Sequence, residues 1–222
     1  MRFSLLCTAL FFSLGVLCQV KPLKYLALGD SYTIGESVEE SDRWPNQLSE
    51  KLRKNGFEVE TEIIAKTGWR TDELLHAITS SKNLGIVYDM VSLLIGVNNQ
   101  YQGRPFKQYQ EEFVNLLETT IALASGDTNR VFVVSIPDYY YTPFGQENRT
   151  NLVSREIDQY NEFAEDICAV YHIEYLNITR ISREGISQPN LVAEDELHPS
   201  SSQYKRWVEE VIHHEVQSQL KN

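Results

Sequence analysis

The chain has 222 residues, 42% of them hydrophobic and 23% charged. That is enough for one domain with a substantial core and too little to argue for two. A net charge of −11 repels nucleic-acid phosphates and leaves no basic patch for anionic lipid, which excludes nucleic-acid binding as a function class.

Arg2 precedes an apolar stretch from Leu5 to Leu17, which Gln19-Val20-Lys21-Pro22 breaks. The stretch is too short to span a bilayer comfortably and fits the apolar core of an export signal. The expectation is a signal peptide at 1–18, a single domain at 19–222, and an exported protein, periplasmic or secreted, with no stable membrane span. A short membrane anchor is one alternative. A lipoprotein modified at Cys18 is another, although Leu17 stands where lipidation wants a small residue.

Beyond the signal, short β-rich runs alternate with longer helical ones. Lys24 to Leu28 reads as a first buried strand. Asp42 to Lys54 reads as a helix, with Asp42 or Ser41 as cap, Pro45 in the first turn, and Asn55-Gly56 as the stop. Phe57 to Ala65 is a strand, and Thr71 to Ser80 a short helix capped by Thr71. Tyr88 to Ile95 is a third strand, apolar enough for burial on both faces. Phe106 to Ser125 is a helix, with Tyr109, Phe113, Leu116, Leu117, Thr120, Ile121 and Ala124 at helical spacing. Arg130 to Ile136 is a strand, Asp138 to Asn151 the longest loop, Thr150 to Tyr171 a helix and Ile173 to Ile178 a short strand. Ser200 to Leu220 is the last helix, with Trp207, Val211 and Val216 inward.

Strands alternating with helices imply parallel strands joined by crossovers, hence an α/β three-layer sandwich around a central parallel sheet. Ligands of such sheets bind beyond the carboxyl ends of the strands. Ser31, Gly68, Asn98 and Tyr139 each follow a predicted strand, so the topology gathers them on one edge. Of three cysteines, Cys7 and Cys18 lie in the signal, leaving Cys168 on the apolar face of a helix as a small buried hydrophobe.

Ser31 lies in Leu26-Ala27-Leu28-Gly29-Asp30-Ser31-Tyr32-Thr33. A serine there can cap a turn, or it can be a hydroxyl held at the sheet edge with its own N–H aimed at a bound carbonyl. As a nucleophile it needs a base within about 2.6–3.2 Å. Of five histidines, His198 alone combines a loop position with an acid three residues earlier. Asp195 would hold one ring nitrogen so that the other faces Ser31, and would stabilise the imidazolium that forms. Glu194 and Glu196 are the competing acids. The developing oxyanion needs preset donors, for which the Ser31 N–H, the Gly68 N–H and the Asn98 carboxamide are the candidates. Taken singly, Gly68 and Asn98 read as turn residues. The runs Thr67-Gly68-Trp69 and Gly96-Val97-Asn98-Asn99 gain weight from their joint position after strands two and three.

Gly29-Asp30-Ser31-Tyr32-Thr33, Gly68, Gly96-Val97-Asn98 and Asp195-x-x-His198 resemble the four sequence blocks of the SGNH (GDSL-type) hydrolases. The resemblance covers nearly the whole chain beyond the signal. It implies a flavodoxin-like α/β/α fold, Ser31 as nucleophile, Gly68 and Asn98 as oxyanion donors, and His198 as base with Asp195. Asn99 departs from a third block that often reads Gly-x-Asn-Asp. The Gly-x-Ser-x-Gly elbow of the α/β-hydrolases is not matched, since Thr33 takes the place of its second glycine.

The expected activity is hydrolysis of carboxylic esters through an acyl-enzyme. The resemblance admits lysophospholipases, thioesterases, arylesterases and polysaccharide acetylesterases. The expected partner is therefore a small-molecule, glycan or lipid ester. Asp30, Tyr32, Trp69, Tyr101 and Tyr139 are candidate pocket residues. The run Tyr139-Tyr140-Tyr141 can stack on a sugar, flank an acyl chain, or pack its own loop. No metal-ligand spacing and no phosphate-binding glycine loop occurs, so no metal or other cofactor is expected. Asn148-Arg149-Thr150 and Asn177-Ile178-Thr179 match glycosylation acceptors, which matter only in a eukaryotic secretory host. An alternative within the same chemistry is deacetylation of glycans. An alternative of another class is a non-catalytic binding protein on a hydrolase scaffold.

Overall fold

A computed structural model describes residues 21–80 and 85–220. The expected signal peptide, with Cys7 and Cys18, lies outside the described residues. The elements run β1 (Leu23–Gly29), α1 (Ser31–Ile34), α2 (Trp44–Lys54), β2 (Val59–Ala65), α3 (Thr71–Ser80), β3 (Met90–Leu94), α4 (Val97–Tyr101) and α5 (Phe106–Leu123). They continue with β4 (Val131–Val134), α6 (Pro143–Asn148), α7 (Leu152–Tyr171), β5 (Glu174–Leu176), α8 (Thr179–Ser182), α9 (Ser201–Trp207) and α10 (His213–Gln219).

The five strands form one parallel sheet in the order β2-β1-β3-β4-β5. Helix α2 packs with α9 and α10, while α5 packs against both α3 and α7. The expected three-layer α/β/α sandwich is thus the observed fold. Strands β3 and β4 are buried throughout, as central strands covered by helices on both faces must be.

Two aromatic clusters fill the layers. Tyr25 reaches across β3 to stack on Phe132, with ring centroids 6.4 Å apart, and Trp44 meets Phe132 edge-on. The small Ser92 between them takes the Tyr25 hydroxyl at 2.8 Å, so the buried phenol is satisfied. Elsewhere Phe106, Tyr109, Phe113, Tyr160 and Phe163 pack in one group. Cys168 is free and buried, and burial pushes its thiol up to about 12. It is therefore an inert core residue at neutral pH.

Several local expectations differ from what is seen. Residues Glu40–Asp42 form a 3₁₀ turn of their own, and no side chain caps α2. Thr71 is the first residue inside α3 rather than its cap, because its N–H and hydroxyl are both engaged by Asn99. The 138–151 loop contains a 3₁₀ turn at Tyr139–Tyr141 and helix α6, which Thr142 caps through the Gly145 N–H. The last helix is broken by a π turn at Val208–Ile212. That extra residue per turn puts Val208 and Ile212 fully inside and leaves Val211 half-buried.

Candidate active site

Ser31 starts α1 directly after β1. The helix is capped by Asp30, whose Oδ1 accepts from the Tyr32 N–H at 3.0 Å. It ends at Gly35, and the Gly35 and Glu36 N–H groups both return to the Ser31 carbonyl at 3.0 Å. A Cβ on Gly29 would lie 2.5 Å from the Leu94 carbonyl oxygen and 2.2 Å from Thr33 Oγ1. Glycine therefore lets the turn after β1 close tightly against the end of β3.

Residues 192–199 fold into a tight loop, bridged between Val192 and Pro199 and closed by the Ala193 N–H on the His198 carbonyl at 2.8 Å. Inside it Asp195 is saturated with donors. Its Oδ1 accepts from the N–H groups of Leu197 at 3.0 Å and His198 at 2.9 Å. Its Oδ2 accepts from His198 Nδ1 and from Ser37 Oγ, both at 2.6 Å. Partial burial raises the Asp195 carboxyl. The bonds from Ser37, from the His198 backbone and ring, and from Leu197 outweigh that and hold it at about 2. An ionised carboxylate only accepts, so Nδ1 carries the ring proton and Nε2 presents its lone pair. The edge of Tyr32 meets the His198 ring, with centroids 5.7 Å apart.

Gly68 has φ +85, which glycine adopts freely, and open space where a Cβ would be. Asn98 uses one amide hydrogen on the Trp69 carbonyl at 2.9 Å, which leaves the second for a ligand. Ser31, Gly68, Asn98 and His198 line one cavity of about 280 Å³, together with Tyr32, Thr67, Val97, Tyr101, Gln102, Tyr139 and Leu197. The geometry unites a hydroxyl, an imidazole with its free nitrogen and two amide donors, which is what acyl transfer requires.

The profile of the GDSL-like lipase/acylhydrolase family matches residues 27–206. The chain belongs to that family. It is accordingly an ester-hydrolysing enzyme rather than a binding protein on the same scaffold. No curated protein sequence matches this GDSL-like hydrolase, but solved structures do. TesA superposes with a TM-score of 0.66 at 16% identity, over 89% of this chain and 98% of that one. Axe2, an acetylxylan esterase from Geobacillus stearothermophilus, gives 0.65 at 16% over 91% and 96%. EstA, a psychrotrophic esterase from Pseudoalteromonas sp., gives 0.62 at 16% over 89% and 96%. Likeness at such identity speaks for the fold alone.

Asn99, where the hydrolase departs from the common third block, is fully buried. Its Oδ1 accepts from the Thr71 N–H at 3.1 Å, and its amide donates to Thr71 Oγ1 at 2.7 Å. The Thr71 hydroxyl in turn donates to Glu112, which also lies 3.5 Å from the Asn99 amide. An Asp at 99 would set a second carboxylate against Glu112. The amide donates to this cluster, so the departure preserves the link between the Gly68 loop and the Asn98 turn.

Of the other expected pocket residues, Tyr32, Tyr101 and Tyr139 line the cavity, and Asp30 and Trp69 lie outside its lining. Asp30 is turned inward as a cap, and Trp69 offers its carbonyl while its ring packs on the core. Thr67, Val97 and Leu197 are cavity residues that could have been read from their neighbours in the blocks. Gln102, Ser37 and Glu112 carry no such signal. Among the described residues no group of three His, Cys, Asp or Glu side chains is placed to hold a metal ion, and no helix is long and apolar enough to cross a membrane.

Burial pushes the Asp30 carboxyl up to about 7, against the lowering bond from the Tyr32 N–H. Its Oδ2 has no partner among the described residues. The folded state thus keeps a proton that an unfolded Asp releases near pH 3.9. Between about pH 4 and about pH 7 the folded state binds more protons, so this group's contribution to stability falls as pH rises. Asp30→Asn keeps the Oδ1 acceptor and removes the charge. The expected result is a Tm at neutral pH equal to or above wild type, with a flatter Tm profile between about pH 4 and about pH 7. Thermal unfolding across that range checks it.

Proposed function

We propose that the chain is an exported serine esterase that cleaves carboxylic esters with short acyl groups through an acyl-enzyme. In this reading Ser31 Oγ attacks the ester carbonyl while His198 Nε2 takes its proton. Asp195 holds the imidazole by Nδ1 and stabilises the imidazolium. The oxyanion is received by the N–H groups of Ser31 and Gly68 and by the free Asn98 amide hydrogen. His198 then returns the proton to the leaving alkoxide, and water repeats the cycle on the acyl-enzyme. The observation that carries this reading is that His198, paired with Asp195, lines the cavity that Ser31, Gly68 and Asn98 also line. Export rests on Arg2 and the apolar run at 5–17.

The cavity, about 280 Å³, is at the small end of ligand sites. Its volume supports short acyl groups over the long chains of lysophospholipids. A methylene left in water forgoes about 0.8 kcal/mol, or roughly fourfold in kcat/KM. A second reading, deacetylation of glycans, is favoured by the rim. Tyr101 is exposed there, edge-on to Tyr139 at 5.8 Å, with the Arg149 guanidinium 4.5 Å over its ring. An exposed aromatic ring at the cavity rim suits stacking on a sugar ring.

A panel of p-nitrophenyl esters run beside acetylated xylan and lysophosphatidylcholine tests both readings. The expected optimum lies at acetyl to butyryl esters. Comparable acetate release from xylan selects the glycan reading, and a rise in kcat/KM with chain length to the lysolipid contradicts the short-acyl proposal.

A further inference from the structure

We propose that Glu36 and Ser37 form a positioning clasp that holds the oxyanion loop and the Asp195–His198 loop in register with Ser31. The inference rests on the assignment of Ser31, His198 and Asp195 above. The turn is anchored on the nucleophile's own residue, since the Gly35 and Glu36 N–H groups both bond the Ser31 carbonyl. From there the two side chains reach in different directions. Glu36 Oε2 accepts from the hydroxyl of Thr67, the residue before Gly68. Ser37 Oγ donates at 2.6 Å to Asp195 Oδ2, the oxygen that also takes the imidazole. These partners lie 31 and 158 residues away in sequence, so two adjacent residues tie together three separate blocks of the site.

Ser37 holds φ +65, a left-handed conformation uncommon for serine and free for glycine. A glycine would relieve that strain, so the hydroxyl must act through its bond to Asp195. Without Ser37 the carboxylate loses one of its four donors, the one that holds Oδ2 from outside the 192–199 loop. Without Glu36 the Thr67-Gly68 turn loses its side-chain tether to the nucleophile turn. Neither residue lines the cavity, so both are positioning residues rather than catalytic ones.

The test uses the full chain with Ser37→Gly, Glu36→Ala, Glu36→Gln and, as reference, Ser31→Ala. Ser37→Gly is expected to leave Tm within about 5 °C of wild type, the relieved backbone strain offsetting part of the lost bond to Asp195, while kcat falls about 10- to 100-fold, the worth of a hydrogen bond to a charged group. KM should stay within about twofold, since ground-state binding is untouched. In proton NMR the low-field resonance of the Asp195-bonded imidazole N–H should be displaced in Ser37→Gly and unmoved in Glu36→Ala. Glu36→Ala should lower kcat, and Glu36→Gln, whose amide oxygen still accepts from Thr67, should restore it. Wild-type kcat with an unmoved resonance in Ser37→Gly overturns the clasp, as does a loss that only tracks the unfolded fraction. If Ser31→Ala retains activity, the underlying site assignment fails. If Ser31→Ala is inactive and Ser37→Gly is fully active, the clasp alone fails.

Discussion

Replacing Ser31 by Ala is expected to lower kcat for p-nitrophenyl acetate by roughly 10⁴- to 10⁶-fold, with Tm and KM near wild type. The substitution removes one oxygen and little else. The α1 cap is the Asp30 carboxyl group, and the turn is tied to the Ser31 carbonyl rather than its side chain. Alanine keeps each of those bonds. The Ser31 N–H also remains, so residual turnover reports what the oxyanion donors contribute without a nucleophile. Steady-state kinetics beside a thermal melt checks both halves.

Asp195→Asn is expected to cost about 10⁴-fold in kcat by a different route. The carboxylate takes four donors, and its charge obliges His198 Nδ1 to carry the proton. An Asn amide can instead donate to Nδ1, which moves the ring proton to Nε2 and turns the base away from Ser31. A stability effect follows from the same bonds. The Asp195 carboxyl sits at about 2 in the fold, below the unfolded value near 3.9. Its contribution is therefore complete above about pH 4 and is lost as pH falls toward about 2. Asn lacks it at neutral pH, so the variant should melt lower there, with the gap closing in acid. Measuring kcat against pH and Tm against pH separates the two effects.

The sheet was legible because its strands are short apolar runs between well-marked helices. In β3 and β4 burial on both faces removes the polar alternation that would blur them, whereas the edge strand β2 keeps it. The Asp195–His198 pair was legible because a three-residue step folds the carboxylate back onto the imidazole within one loop. The meeting of Ser31, Gly68 and Asn98 in one cavity required the fold rule that residues following successive parallel strands gather at one edge. The rest depends on contacts with no local signature. Ser37 meets Asp195 across 158 residues. Glu112 explains Asn99 only when α5 lies beside α3. Asp30 belongs to the same block as Ser31, yet its carboxyl group folds back on Tyr32 N–H, so adjacency in sequence misplaced it in the pocket. Tyr139 was legible as the first tyrosine beyond strand four, but the bond of its hydroxyl to Gln100 at 2.9 Å had no local sign. The buried Asp138 beneath it, ion-paired to Arg183 at 2.9 Å, gave no sign of supporting that turn.

The claim on which the account turns is that Ser31 Oγ accepts the acyl group. Reaction of the folded protein with a fluorophosphonate, followed by peptide mapping in a mass spectrometer, measures it directly. One adduct per chain on Ser31, absent from Ser31→Ala and slowed in His198→Ala, is the result predicted. A folded, ester-hydrolysing protein that takes no label, or takes it on another residue, contradicts it.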